Sequence, residues 1–365
     1  MTTISQIDSD WGKIVDQLGG ASTLTATARE TRAFLRGREI TNAVDLLRLV
    51  LAYCLGEGGL RSTAAWAASI GLADVSNVAL LYRLRQCGDW FTLLIGRVLA
   101  SAAPRASRGR LIRLIDGTTV PKAGKGKETR GVWRIHTAFD LPHERFGFFE
   151  LTDEHGGETL DRIPVVEGEI RIGDRAYLQP DRMAAVLAAG ADIVIRAPWK
   201  SASWREDDDS RADLIAILEG GMATGIIDRP IGIGRKKGQT LALRLVAVRK
   251  PPEAIELARD KARHNAHKGG HTISQSTLIA AEWVILVTSL APDTFSTSDI
   301  LALYRLRWRI ELAFKRLKNL VGLKGPPGTD ERSARPYVLA HLLLMLLLEP
   351  AIDAFEVSPR QAHAA

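Results

Sequence analysis

Two aspartates and one glutamate are the residues of this chain whose type and setting suit chemistry. Asp116 follows the apolar run in GRLIRLIDGTTV, Asp174 follows the one in GEIRIGDRAY, and Glu311 stands alone among six cations in YRLRWRIELAFKRLKNLVGL, Tyr304 to Leu323. A carboxylate at the end of a buried strand is costly unless it is paired, and shared coordination of a divalent ion is one remedy. Mg²⁺ takes hard oxygen ligands. Two such ions held by three carboxylates can activate a water or hydroxyl and stabilise the leaving oxygen in phosphodiester displacement. Each residue taken singly has a plainer meaning: Asp116-Gly117 is a turn signal, and one acid among cations on a helix is the usual solvated face with i,i+4 ion pairs.

The elements that must position these groups follow from periodicity. At about 100° per residue, Tyr304, Arg307, Glu311 and Lys318 project within roughly 60° of one another on a single predicted helix, beside a packing face of Leu303, Leu306, Ile310, Ala313, Leu317 and Val321. GRLIRLIDGTTV reads as a strand ending at Asp116; WRIHTAFDL, RFGFFELTD and a strand ending at Asp174 follow, then the helix PDRMAAVLAAG and the strand ADIVIRAPW. Strands first in a run and then alternating with helices describe a mixed α/β sheet with helices packed on it. Residues 1–105 read as all-helical, and STAAWAASIGLADVSNVALLYRLRQ has the cadence of a helix-turn-helix that would offer Asn77, Tyr82, Arg83 and Arg85 to DNA. Between about residues 200 and 281 the pattern breaks into an acidic run, a strand-like stretch and the basic, mobile-looking ELARDKARHNAHKGG, which together read as a mainly β insertion. The pattern resumes at EWVILVTSL. VLAHLLLMLLL reads as a buried helix, and residues 351–365 as a flexible tail.

A chain of 365 residues has room for two or three domains, and a formal charge of +7 points to a polyanionic partner. The acids in MTTISQIDSDWGK oppose an export signal, VLAHLLLMLLL is too short to span a bilayer, and Cys54 and Cys87 lack CxxC spacing, so reduced, buried thiols in a cytoplasm are expected. PKAGKGKETRG has the wrong spacing for a phosphate loop, which argues against a nucleotide cofactor. His264, His267 and His271 lack companion ligands for zinc, and Lys261, Arg263 and Lys268 around them suit contact with a DNA backbone. His136 reads as a strand residue with a structural hydrogen bond.

The spacing YxxRxxxExxxxxxK, met by Tyr304, Arg307, Glu311 and Lys318, resembles the signature of bacterial DDE transposases of the insertion sequence 4 family, with DGTTV and GDRAY in the places of its first two acids. The resemblance implies a ribonuclease-H-like catalytic core in two parts, 106–199 and 282–350, interrupted by the insertion at 200–281. It also implies that Asp116, Asp174 and Glu311 bind two Mg²⁺ or Mn²⁺ ions, that Tyr304, Arg307 and Lys318 contact the DNA end, and that Trp283 stacks on a flipped base if a hairpin intermediate forms. The implied activity is cleavage of terminal inverted repeats and joining of the 3′ ends to target DNA, by a homodimer in a synaptic complex. A DNA-binding relative without catalysis, and a metal-dependent nuclease or other hydrolase, are the rival readings; the cations around Glu311 oppose a neutral sugar substrate.

Overall fold

The computed structural model describes residues 11–101, 109–122, 131–141, 145–308, 311, 326 and 330–356. Among them are twelve α-helices and one nine-stranded, mostly antiparallel sheet.

Six helices come first: α1 (Trp11–Gln17), α2 (Gly20–Glu30), α3 (Ala43–Leu55), α4 (Leu60–Ser69), α5 (Asn77–Gln86) and α6 (Gly88–Ser101). Their starts are set by local chemistry: Asn42 caps α3 by accepting the Asp45 N–H at 2.9 Å, and Ser76 caps α5 by accepting that of Ala79 at 3.1 Å. Gly71, at φ +69°, turns the chain between α4 and α5, a conformation glycine adopts without a Cβ clash. Cys54 and Cys87 are free and buried here. The last helix, α12 (Glu331–Glu356), packs its buried run from Val338 to Leu347 against α6, α5 and α3. It extends into residues first read as a tail, and no helix among the described residues is long and apolar enough to cross a membrane.

The sheet runs β3-β2-β1-β4-β5-β9-β8-β7-β6. Strands β1 (Ile112–Pro121), β2 (Val132–Leu141) and β3 (Arg145–Thr152) form an antiparallel meander. β4 (Ile170–Gly173) adds parallel to β1, and β5 (Asp192–Arg196) parallel to β4 after the crossover helix α7 (Pro180–Ala188). Alternation of side chains sends Leu114, Ile172, Val194 and Leu286 to the face covered by α1–α6 and α12, and Ile115, Ile193, Ile195 and Ile285 to the other. The N-terminal helices therefore share one continuous core with the sheet.

The segment read as an insertion contributes β6 (Trp204–Arg205), α8 (Leu214–Gly220), β7 (Ile226–Gly234), β8 (Thr240–Arg249), α9 (Pro252–Lys268) and α10 (Gln275–Ala281) before β9 (Trp283–Thr288) and α11 (Thr297–Arg305). It is mixed α/β, not mainly β. The stretch that looked mobile is the C-terminal half of α9, started by Pro252 at its first position, with only Ala266 buried. A helix polar nearly all round leaves a weak periodic signal, which is why the sequence pattern missed it. β8 pairs with β9, so this segment lengthens the same sheet.

Candidate active site

β1 and β4 are in parallel register from Ile112 opposite Ile170 to Leu114 opposite Ile172. Two residues further on, just beyond the end of that ladder, Asp116 and Asp174 follow at matching positions, near enough for the charge of Asp174 to act on Asp116. β1 itself does not end at Asp116, as its sequence suggested, but continues paired to β2 as far as Pro121. Asp116-Gly117 is thus strand, not turn.

Both aspartates are fixed through one oxygen. Asp116 Oδ1 accepts the Gly117 N–H at 2.8 Å, and Asp174 Oδ1 accepts the Ala176 N–H at 2.8 Å as the cap of the 3₁₀ turn Arg175–Tyr177. Among the described residues no donor reaches either Oδ2. Burial pushes the Asp116 carboxyl up to about 7, with repulsion from Asp174 and Glu158 added and with the Gly117 N–H and the Arg307 guanidinium opposing. A carboxyl raised in the folded state binds its proton more tightly there than in the unfolded chain. Its contribution to stability is full below the unfolded value near 4 and is lost as pH rises through about 7. We expect the melting temperature of metal-free protein to decline over that window and Asp116→Asn to flatten the decline and melt higher above pH 7. Superimposable melting profiles for the two proteins would overturn this account of the carboxyl.

Glu158 is a neighbour that no sequence pattern revealed. A Cβ on Gly117 would stand 2.8 Å from Glu158 Oε1, so glycine next to Asp116 makes room for this carboxylate, which also lies 3.5 Å from Arg134 Nε. Tyr177 is buried, and burial together with Asp116, Glu158 and Asp174 pushes its phenol up, keeping it a neutral donor.

The third acid arrives on a separate element. α11 begins with a capping box between Ser296 and Asp299, and its start is tied to the sheet: Thr297 donates to Asp228, which Arg244 also binds at 2.6 Å while donating to the Phe295 carbonyl at 2.7 Å. Ile300 is buried, and Leu301, Leu303, Tyr304 and Leu306 pack beside it. The helix does not run unbroken from Tyr304. It ends at Arg305, and the Leu306 and Arg307 N–H groups bond back three residues to Leu303 and Tyr304, tightening the turn before helix resumes at Trp308.

Arg307 links the acids. Its Nη2 lies 2.7 Å from Glu311 Oε1, and its charge acts on Asp116. Its guanidinium is 5.9 Å from the Tyr304 ring, and the buried Tyr304 hydroxyl has no partner among the described residues. Asp116, Asp174, Glu158 and Arg307 are therefore gathered at one place, with Glu311 tethered through Arg307 and its side chain 57% exposed. Among the described residues no three carboxylate, imidazole or thiolate groups are grouped to hold one ion. The donor set nevertheless suits a hard divalent cation: two aspartates at matching positions, each with an oxygen free of donors, repel one another in a partly buried setting.

The remaining residues singled out in the sequence stand elsewhere. Lys318 and most of PKAGKGKETRG lie outside the described residues. Trp283 is 2% exposed at the start of β9. Arg83 lies over the Phe34 ring, and Arg85 binds Asp330 at 2.6 Å and Ser333 at 3.1 Å, holding α5 to the start of α12. His136 shares a 2.9 Å hydrogen bond with Thr152 and is pushed down to about 4 by burial and by Arg162, so it is neutral at neutral pH.

Residues 107–344 match the transposase DDE domain family. Over 362 residues the chain is 36% identical to the putative transposase InsL for insertion sequence element IS186A of Escherichia coli K12, covering 97% of both proteins. Over 365 residues it is 36% identical to the transposase for insertion sequence element IS421 of Escherichia coli, again across 97% of both.

Proposed function

Because the chain belongs to the transposase DDE domain family, we propose that it cleaves the inverted-repeat ends of its own insertion sequence and joins the freed 3′ hydroxyls to target DNA. The observation that carries this reading is the pair of Asp116 and Asp174 just beyond the end of the β1–β4 ladder, with Arg307 beside it and Glu311 on Arg307. The order β3-β2-β1-β4-β5, a meander joined to two parallel strands, supports a ribonuclease-H-like core of the insertion sequence 4 type.

Asp116, Asp174 and Glu311 are the residues that would hold divalent metal, two Mg²⁺ or Mn²⁺ ions in this reading. Bound there, the metal supplies an activated water or hydroxyl and offsets charge on the leaving oxygen. The protein's own groups do the rest. The backbone N–H groups of Gly117 and Ala176 fix the two aspartates and leave an oxygen of each open. The Tyr304 hydroxyl, which has no partner among the described residues, and the Arg307 guanidinium orient a phosphate. A DNA phosphate that takes the Arg307 guanidinium frees Glu311 to join the aspartates. No hairpin step is included, since Trp283 is enclosed in the core.

In this reading the partners are duplex DNA and a second protomer, in the cytoplasm of a bacterium, and α1–α6 contribute to end binding. The test is incubation with a labelled duplex carrying the element's terminal inverted repeat and Mg²⁺. We expect nicking that exposes a 3′ hydroxyl at the element boundary, lost in EDTA. Binding to the repeat without any metal-dependent nick would leave a DNA-binding protein in place of an enzyme.

A further inference from the structure

Glu158 stands beside the aspartates without an assigned task. It lies between β3 and β4, outside any helix or strand, yet it is held from two sides. Its backbone carbonyl accepts from Gln179 Nε2 at 2.7 Å, and the same nitrogen donates to the Ala176 carbonyl at 3.0 Å, which ties this segment to the turn that Asp174 caps. Its side chain lies against Gly117: a Cβ placed there would meet Oε1 at 2.8 Å, Cδ at 3.1 Å and Cγ at 3.3 Å. Glycine within a paired strand weakens it and often marks the close approach of another group. Here the group that approaches is a carboxylate, one residue along from Asp116.

That carboxylate is loosely paired. Among the described residues it accepts no hydrogen bond, and Arg134 Nε stands 3.5 Å away, where Arg113 and Asp140 on the same two strands meet at 2.7 Å. Arg134 gives its hydrogen bond to the Gly156 carbonyl at 2.8 Å through Nη1, and its buried Nε has no hydrogen-bond partner. The charge of Glu158 reaches Asp116 and Tyr177, as does that of Asp174. Like charges gathered in this way repel one another, and a divalent cation entering among them relieves the repulsion. Among the described residues the acids are not grouped closely enough for three of them to hold one ion directly.

We propose that Glu158 is a fourth carboxylate of the metal site, a positioning residue that draws the divalent ion to Asp116 and Asp174 and holds it through an intervening water. The inference rests on the reading of those aspartates as metal-binding. Groups placed one shell out from a metal change its affinity by about 10- to 100-fold.

The test is the rise in melting temperature of the full chain, without DNA, as Mg²⁺ or Mn²⁺ is titrated in. Wild type is compared with Glu158→Gln, with Gly117→Ala, with the two combined, and with Glu150→Gln, an acid on β3 that binds Arg162 at 3.0 Å. We expect Glu158→Gln to need about tenfold more metal for half the rise. Gly117→Ala should move the midpoint the same way, because its Cβ displaces Glu158 Oε1, and it keeps the test valid if Glu158→Gln fails to fold. The combined variant should be no worse than Glu158→Gln alone, since both changes act on one group. Glu150→Gln should match wild type. With end DNA, Glu158→Gln should nick slowly at limiting metal and recover to within a few-fold of wild type at saturating metal. A Glu158→Gln midpoint equal to that of wild type, or a shift that Glu150→Gln reproduces, would overturn this inference alone. Wild type whose melting temperature does not respond to either metal would end the metal reading of the aspartates as well.

Discussion

Asp174→Asn is expected to reduce metal-dependent cleavage of end DNA by roughly 10³-fold or more, the scale on which groups acting chiefly in the transition state fall. The substitution keeps the size of the side chain and an oxygen able to cap the turn at Ala176, so the 3₁₀ turn that follows is retained. What disappears is the second negative charge beside Asp116. That charge is an unfavourable neighbour in the metal-free protein, where it adds to the upward push on Asp116, and a favourable one once a divalent cation lies between the two. The variant should therefore melt no lower than wild type without metal, yet gain less in melting temperature from added Mg²⁺ or Mn²⁺, because stabilisation by a ligand scales with its affinity for the folded state. Loss of cleavage with an unchanged metal-induced shift would place Asp174 outside the metal site. Cleavage within a few-fold of wild type would remove it from the reaction.

The two aspartates were legible because each follows an alternating or apolar run whose pairing is fixed by burial, and a parallel register that matches Leu114 to Ile172 carries Asp116 and Asp174 along with it. The mixed sheet with packed helices was legible for the same reason. The continuous helix from Tyr304 was not, because a 3.6-residue projection cannot see a turn tightened by bonds to the third residue back, at Leu306 and Arg307. Arg85 looked like a DNA contact in a helix-turn-helix cadence, but its partner Asp330 is distant in sequence and only packing of α12 brings it near. Glu158 shares this property: it stands on a separate segment, has no common spacing with the aspartates, and acquires meaning only when the sheet closes.

Glu169→Ala is expected to cost about 3–5 kcal/mol of folding stability, the scale for leaving a buried charge without its partner. Glu169 and Arg171 are fully buried, and the Arg171 guanidinium binds Glu169, the Leu160 carbonyl and the Pro164 carbonyl, the last at 2.7 Å. Arg113 lies 3.0 Å from the same glutamate and binds Asp140 through two nitrogens at 2.7 and 3.2 Å. Two arginines and two acids thus balance across β1, β2 and the start of β4, the strands that carry Asp116 and Asp174. Removing Glu169 leaves two guanidinium groups sharing one carboxylate, and burial already pushes Arg171 down against the pull of Glu169. Replacing Glu169 and Arg171 together by leucines of comparable bulk should cost less than Glu169→Ala alone, since the desolvation penalty leaves with the pair. Urea unfolding of the single and double variants measures both. A single variant within about 1 kcal/mol of wild type would show that water or backbone groups replace Glu169, and the network would then lose its role in holding β4 against β1 beside the two aspartates.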